Sequence, residues 1–87
     1  MRRFVMLGLA LAGWGGCALL GPSEGERLLK KGLKQAEAGQ TVQAIATFKE
    51  AVHTKAGWTA WNNLGDCYMR LKRYGDAAKA YSETLQR

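Results

Sequence analysis

Residues 60–87 read AWNNLGDCYMRLKRYGDAAKAYSETLQR. Trp61, Leu64, Gly65, Tyr68 and Leu71 recur there at three- and four-residue steps. On a helix such steps draw one apolar stripe. Ala77, Ala78, Tyr81 and Leu85 draw a second stripe further on. Lys72, Arg73, Tyr74, Gly75 and Asp76 lie between, and their charge and glycine predict a tight helix-helix turn. Gly65 and Ala77 are small enough for close backbone approach, with Tyr68, Tyr74 and Tyr81 to fill the space around them. A hairpin of this kind cannot bury both faces alone, so it asks for a similar neighbour.

The neighbour is upstream. Gly32 pairs with Gly65, Ala44 with Ala77, Phe48 with Tyr81, Ala51 with Thr84 and Val52 with Leu85, each at an offset of 33 residues. A constant offset joining glycine to glycine and aromatic to aromatic marks an internal repeat. The pattern Trp61, Leu64-Gly65, Tyr68, Ala77, Tyr81 resembles the tetratricopeptide repeat, a helix-turn-helix unit of about 34 residues. The upstream copy keeps Leu28, Gly32, Ala44, Phe48 and Ala51 but departs at Lys31, where the family prefers leucine, and at Gln35, where it prefers tyrosine. Ala56 stands in place of the family's closing proline, and the connector is one residue short. The resemblance covers residues 24–87 and implies an all-α fold of two units, 24–57 and 58–87, behind an apolar leader.

Composition sets the outer limits. The 87 residues suffice for one small domain. The formal charge is +6, from 13 Lys+Arg against 7 Asp+Glu. Arg2 and Arg3 fall in the leader, which leaves 11 basic residues against 7 acidic ones beyond it. Those charges are interspersed and lack an aromatic stacking platform, so no nucleic-acid partner is expected. A mildly basic surface is compatible with weak attraction to acidic phospholipid headgroups.

The leader follows the layout of a secretory signal. Arg2 and Arg3 precede the apolar run FVMLGLALA, glycines follow at 13, 15 and 16, and then comes Cys17. Small residues directly before a cysteine resemble a bacterial lipoprotein signal, which implies a signal peptide over 1–16, a lipid on Cys17 and a linker to 23. Trp14 departs from that pattern, where the family prefers leucine. Several acyl chains anchor firmly where one is marginal. Two other readings stand beside this one: ordinary cleavage near Ala18, and an uncleaved anchor over residues 4–20. That stretch of 17 residues is at the lower limit for a span. All three send the rest of the chain out of the cytoplasm. Ala18 after the cysteine resembles lipoproteins of the outer membrane facing the periplasm.

Beyond the leader, Ser23 with Glu26 forms a capping-box pattern and predicts a helix over about 24–38. Its apolar face is Leu28, Leu29, Gly32, Leu33 and Ala36, and Gly39 is its expected stop. Thr41 is the expected cap of a second helix over about 42–54, with the stripe Ala44, Ile45, Phe48, Ala51 and Val52. Gly57 is expected to break the chain, with a third helix starting at Trp58.

Chemistry is sparse. His53 is the only histidine, and it reads as a solvated helix-end residue. Asp66 and Cys67 are neighbours in sequence and diverge by about 100° on a helix, so they form no site. Asp66 and Arg70 are spaced for a surface ion pair. Cys17 and Cys67 with one histidine give no metal spacing, and Cys67 reads as a small packed group. No phosphate loop appears, so neither a cofactor nor an enzyme is expected.

What remains is surface. The resemblance implies that the first helix of each unit lines a groove for a partner's peptide or helix. That groove would carry Leu29, Leu33 and Ala36 from the first unit and Asn62, Asn63, Asp66, Met69 and Arg70 from the second. Only Asn63 matches the family's carboxylate-binding constellation, so an amphipathic helix or mixed peptide is the expected ligand. Two units fall below the roughly three usually needed for a stable stack. Ala78, Tyr81 and Leu85 therefore predict an apolar edge open to self-association. The function expected is a non-enzymatic scaffold in the bacterial envelope that serves assembly of an envelope machine. The alternative is a membrane-anchored subunit that recruits a periplasmic enzyme.

Overall fold

Ser23 starts the first helix by a reciprocal pair of bonds. Its hydroxyl accepts from the Glu26 amide at 3.2 Å, and its own amide donates to Glu26 Oε1 at 3.4 Å. Two of the orphan donors at a helix start are satisfied this way. The computed structural model describes residues 21–86. The signal peptide, Cys17 and the anchor reading lie outside those residues. Among the described residues no helix is long and apolar enough to cross a membrane.

Helix α1 spans Glu24–Glu37. It ends as expected at Gly39, whose φ of +82° is easy for glycine alone. The Gly39 amide donates to Ala36 O at 3.1 Å and the Gln40 amide to Gln35 O at 2.8 Å, the two bonds of a Schellman stop. Helix α2 spans Thr41–Ala51, with Gln40 at the cap position and no side-chain cap, so Thr41 is the first helical residue and not the cap. The helix closes three residues before the expected end. There Thr54 Oγ1 donates to Ala51 O at 2.7 Å and accepts from the Ala56 amide at 3.2 Å. This local side-chain bonding competes with a further helical turn.

Helix α3 spans Gly57–Arg70 and helix α4 spans Tyr74–Leu85. Gly57 opens α3 as a buried first residue and does not break the chain. Gly75 lies inside α4, not in the turn. The left-handed position of the second turn is taken by Lys72, at φ +61°. The Lys72 amide donates to Met69 O at 2.9 Å and the Arg73 amide to Tyr68 O at 2.8 Å. Lys72 is 33 residues after Gly39, so both hairpins use the same stop with different residues in the strained place. Arg73 then bonds Asp76 at 2.6 Å and lies 5.1 Å from the centre of the Tyr68 ring.

The repeat offset carries through to the packing. A Cβ on Gly32 would stand 2.5 Å from the Phe48 ring, and one on Gly65 would stand 2.6 Å from the Tyr81 ring. In each hairpin an aromatic ring of the second helix lies against the bare backbone of the first. Ala44 and Ala77, also 33 apart, are both buried. Where the first unit has Gln35, Thr47 Oγ1 donates to its Oε1 at 2.6 Å. The second unit has Tyr68 and Ala80 at those positions, both buried. A hydrogen-bonded polar pair in the first unit thus stands where the second has two buried apolar residues.

Each helix packs on the next, and α1 also touches α3. The core is supplied mainly by α2 and α3, through Ala44, Ile45, Phe48, Ala51, Ala60, Leu64, Cys67 and Tyr68. Leu28, Leu29 and Ala36 cover it from α1 as half-buried residues. Burying Phe48 contributes roughly 1.5–3 kcal/mol. On α4 the inward residues are Ala77 and Ala80, with Tyr81 half-buried; Ala78 and Leu85 point out. The stripe expected from Ala77, Ala78, Tyr81 and Leu85 is therefore rotated, because Tyr81 turns onto Gly65 and brings Ala80 inward. Tyr74 is 58% exposed and fills no interior space, and Leu71 is exposed at the end of α3.

Candidate functional site

The first helices of the two hairpins, α1 and α3, lie side by side and share one bond: Arg70 Nη1 donates to Ala36 O at 2.9 Å. This fastens the second hairpin to the C-terminal end of α1, where the Ala36 carbonyl also accepts from the Gly39 amide and the helix dipole favours a cation. Leu33, Ala36, Asn63, Asp66 and Arg70 line a shallow depression of ≈ 70 Å³ at this junction, with Phe48 and Cys67 behind it. Five of the eight residues expected in the groove are thus brought together. Leu29 packs against the core, while Asn62 and Met69 are exposed outside the depression.

The charged residues here are already engaged. The Tyr81 hydroxyl donates to Asp66 Oδ1. That bond, with partial burial and the Asp66 charge adding, pushes the Tyr81 hydroxyl up to about 12. Asp66 and Arg70 do not form the ion pair their spacing suggested: Asp66 is held by α4 and Arg70 by α1. Cys67 is buried between the helices, and loss of solvent raises its thiol, with Arg70 opposing and Asp66 reinforcing. A thiol held protonated is a poor nucleophile and metal ligand. Among the described residues no three His, Cys, Asp or Glu side chains gather to hold a metal.

Residues 29–87 match a family described as tetratricopeptide repeat. The chain belongs to the tetratricopeptide repeat family. Comparison with curated proteins and with solved structures gives no match. Tetratricopeptide units are in general non-catalytic interaction modules, so this chain is a protein-protein interaction scaffold.

A larger concavity escaped the sequence reading. On a different face of α3, between α2 and α4, a groove of ≈ 740 Å³ is floored by Val52, Trp61, Leu64, Tyr68 and Ala80. Its apolar floor was legible as core, but its opening was not. The side chains that frame it come from three helices and look individually like a solvated surface.

Proposed function

We propose that this tetratricopeptide protein is tethered in the bacterial envelope and holds a peptide or amphipathic helix of a partner protein on its α1/α3 face. Leu33 and Met69 carry this reading. They are 44% and 46% exposed on the two helices that resemble the family's groove-forming elements. Beside Leu33 lie Asn63, Asp66 and Arg70, the latter two held in place by bonds to Tyr81 and Ala36. Exposed apolar side chains beside oriented polar ones are what a helix-in-groove contact uses. The fixed polar groups lower the ordering cost of binding.

The lipid reading of Cys17 supplies the tether. Mass of the intact protein tests it: the expected product begins at Cys17 and carries acyl mass, while retention of Met1 would favour the uncleaved anchor. Photo-crosslinkers at positions 33 and 69 test the face. Partner adducts at both positions, lost in Leu33→Glu and Met69→Glu chains, are the expected result. Equal adducts at these positions and at the remote, exposed Glu50 would refute it.

A further inference from the structure

We propose that the groove between α2 and α4 is a second docking surface, which takes an acidic amphipathic segment of a partner protein. Its floor is Val52, Trp61, Leu64, Tyr68 and Ala80, and its volume of ≈ 740 Å³ lies within the range of about 300–1,000 Å³ typical of ligand clefts. That space admits a row of apolar side chains. The Trp61 side chain is half-buried in that floor, and its indole N–H is buried without an acceptor among the described residues.

The rims select the charge of the occupant. The α2 side offers Lys49 and His53 and no acid. The α4 side offers Asp76, Lys79 and Glu83, and Asp76 is already neutralised by Arg73 at 2.6 Å. Among the described residues Lys49 and Lys79 make no ion pair. Two unpaired lysines thus face each other across an apolar floor, with Glu83 as the single unpaired acid. Acidic flanks on a bound helix meet both lysines, and basic flanks are repelled. A second copy of this chain is a poor occupant, because beyond the leader it carries 11 basic residues against 7 acidic ones. An anionic bilayer presents a flat sheet of one sign, which neither reaches the floor nor tolerates Glu83.

The surface is separate from the α1/α3 face, so the two readings fail independently. The test uses full-length protein and two labelled amphipathic helical peptides with a leucine stripe, one with glutamate flanks and one with lysine flanks. Fluorescence anisotropy is expected to show the glutamate peptide binding at least about tenfold tighter. The double variant Lys49→Glu/Lys79→Glu is expected to reverse the preference with an unchanged melting curve, since both side chains are exposed. Leu33→Glu is expected to leave glutamate-peptide binding intact. Equal binding of the two peptides, indifference to the charge reversal, or loss of binding in Leu33→Glu would overturn the proposal. So would binding to phosphatidylglycerol vesicles with no binding of either peptide.

Discussion

Replacing each of three helical glycines by alanine separates close packing from helix propensity. In a helix interior the change gains about 0.8–1.0 kcal/mol from propensity alone. Gly75, the second residue of α4, has nothing within 4 Å of its would-be Cβ, so Gly75→Ala is expected to stabilise by about 0.4–1 kcal/mol, chiefly by restricting the unfolded chain. At Gly32 the new methyl meets three atoms of the Phe48 ring at 2.5, 2.7 and 2.9 Å. Phe48 is 1% exposed and has nowhere to move. Overpacking of this kind costs about 1–3 kcal/mol, and a contact this short belongs at the upper end. The net expectation for Gly32→Ala is a loss of about 1–2 kcal/mol. Gly65→Ala meets Tyr81 at 2.6 Å. Tyr81 is only half-buried, but its hydroxyl is held by Asp66, so the loss should be similar or slightly smaller. For a domain of this size 1 kcal/mol moves Tm by about 4–8 °C. Thermal melts followed by circular dichroism should therefore show Gly75→Ala above wild type and Gly32→Ala and Gly65→Ala clearly below it. A companion substitution, Phe48→Leu, should make Gly32→Ala less harmful than it is alone. If Gly32→Ala and Gly75→Ala both raise Tm by similar amounts, no ring lies against Gly32 and the packing argument is refuted.

The second turn offers a stabilising change: Lys72→Gly relieves a left-handed residue, which costs about 1–2 kcal/mol, at an entropic cost of about 0.5–1. A net gain of about 0.5–1 kcal/mol in urea titrations is expected, and Gly39→Ala should lose about 1–2. The bond between Gln35 and Thr47 should give a coupling of about 1 kcal/mol in a double-mutant cycle with Gln35→Ala and Thr47→Ala. The Tyr81 hydroxyl is neutral at ordinary pH and its titration is raised to about 12. Its bond to Asp66 therefore contributes fully below the unfolded value near 10 and is lost as pH climbs from about 10 to about 12. Ultraviolet titration should show that late step in wild type, moved toward about 10 in Asp66→Asn. Leu85 is 88% exposed on α4, outside the lining of the α2/α4 groove, and sedimentation should show concentration-dependent association that Leu85→Glu weakens.

The repeat was legible because physics fixed it twice over. An aromatic ring on a glycine requires both residues, and the constant offset repeats the requirement in the second hairpin. Ser23 and Gly39 were legible because a capping box and a left-handed glycine each have one strong local use. The second turn was not, because Lys72 accepts backbone strain that the sequence assigns to Gly75, a glycine free of any such demand. Thr41 and Gly57 misled for a related reason: both have the right composition for a boundary, yet tertiary packing carries the helix one residue further. Of the expected groove, Ala36 and Arg70 were assigned through the family resemblance, but the bond between them, across 34 residues of chain, was not legible. That Asp66 would turn to Tyr81 was not legible either, since the choice between an ion pair along the helix and a bond across the hairpin depends on how α4 is rotated. The groove beyond α3 was hidden because its walls are far apart in sequence and charged.

Two stacked hairpins with rings laid on bare glycine backbone are the claim on which the rest stands. Proton NMR of the folded chain tests it most directly. Strong cross-relaxation is expected from the Gly32 α-protons to the Phe48 ring and from those of Gly65 to the Tyr81 ring, with both glycines shifted by ring currents. Glycine α-protons at random-coil shifts, with no contact to either ring, would contradict it.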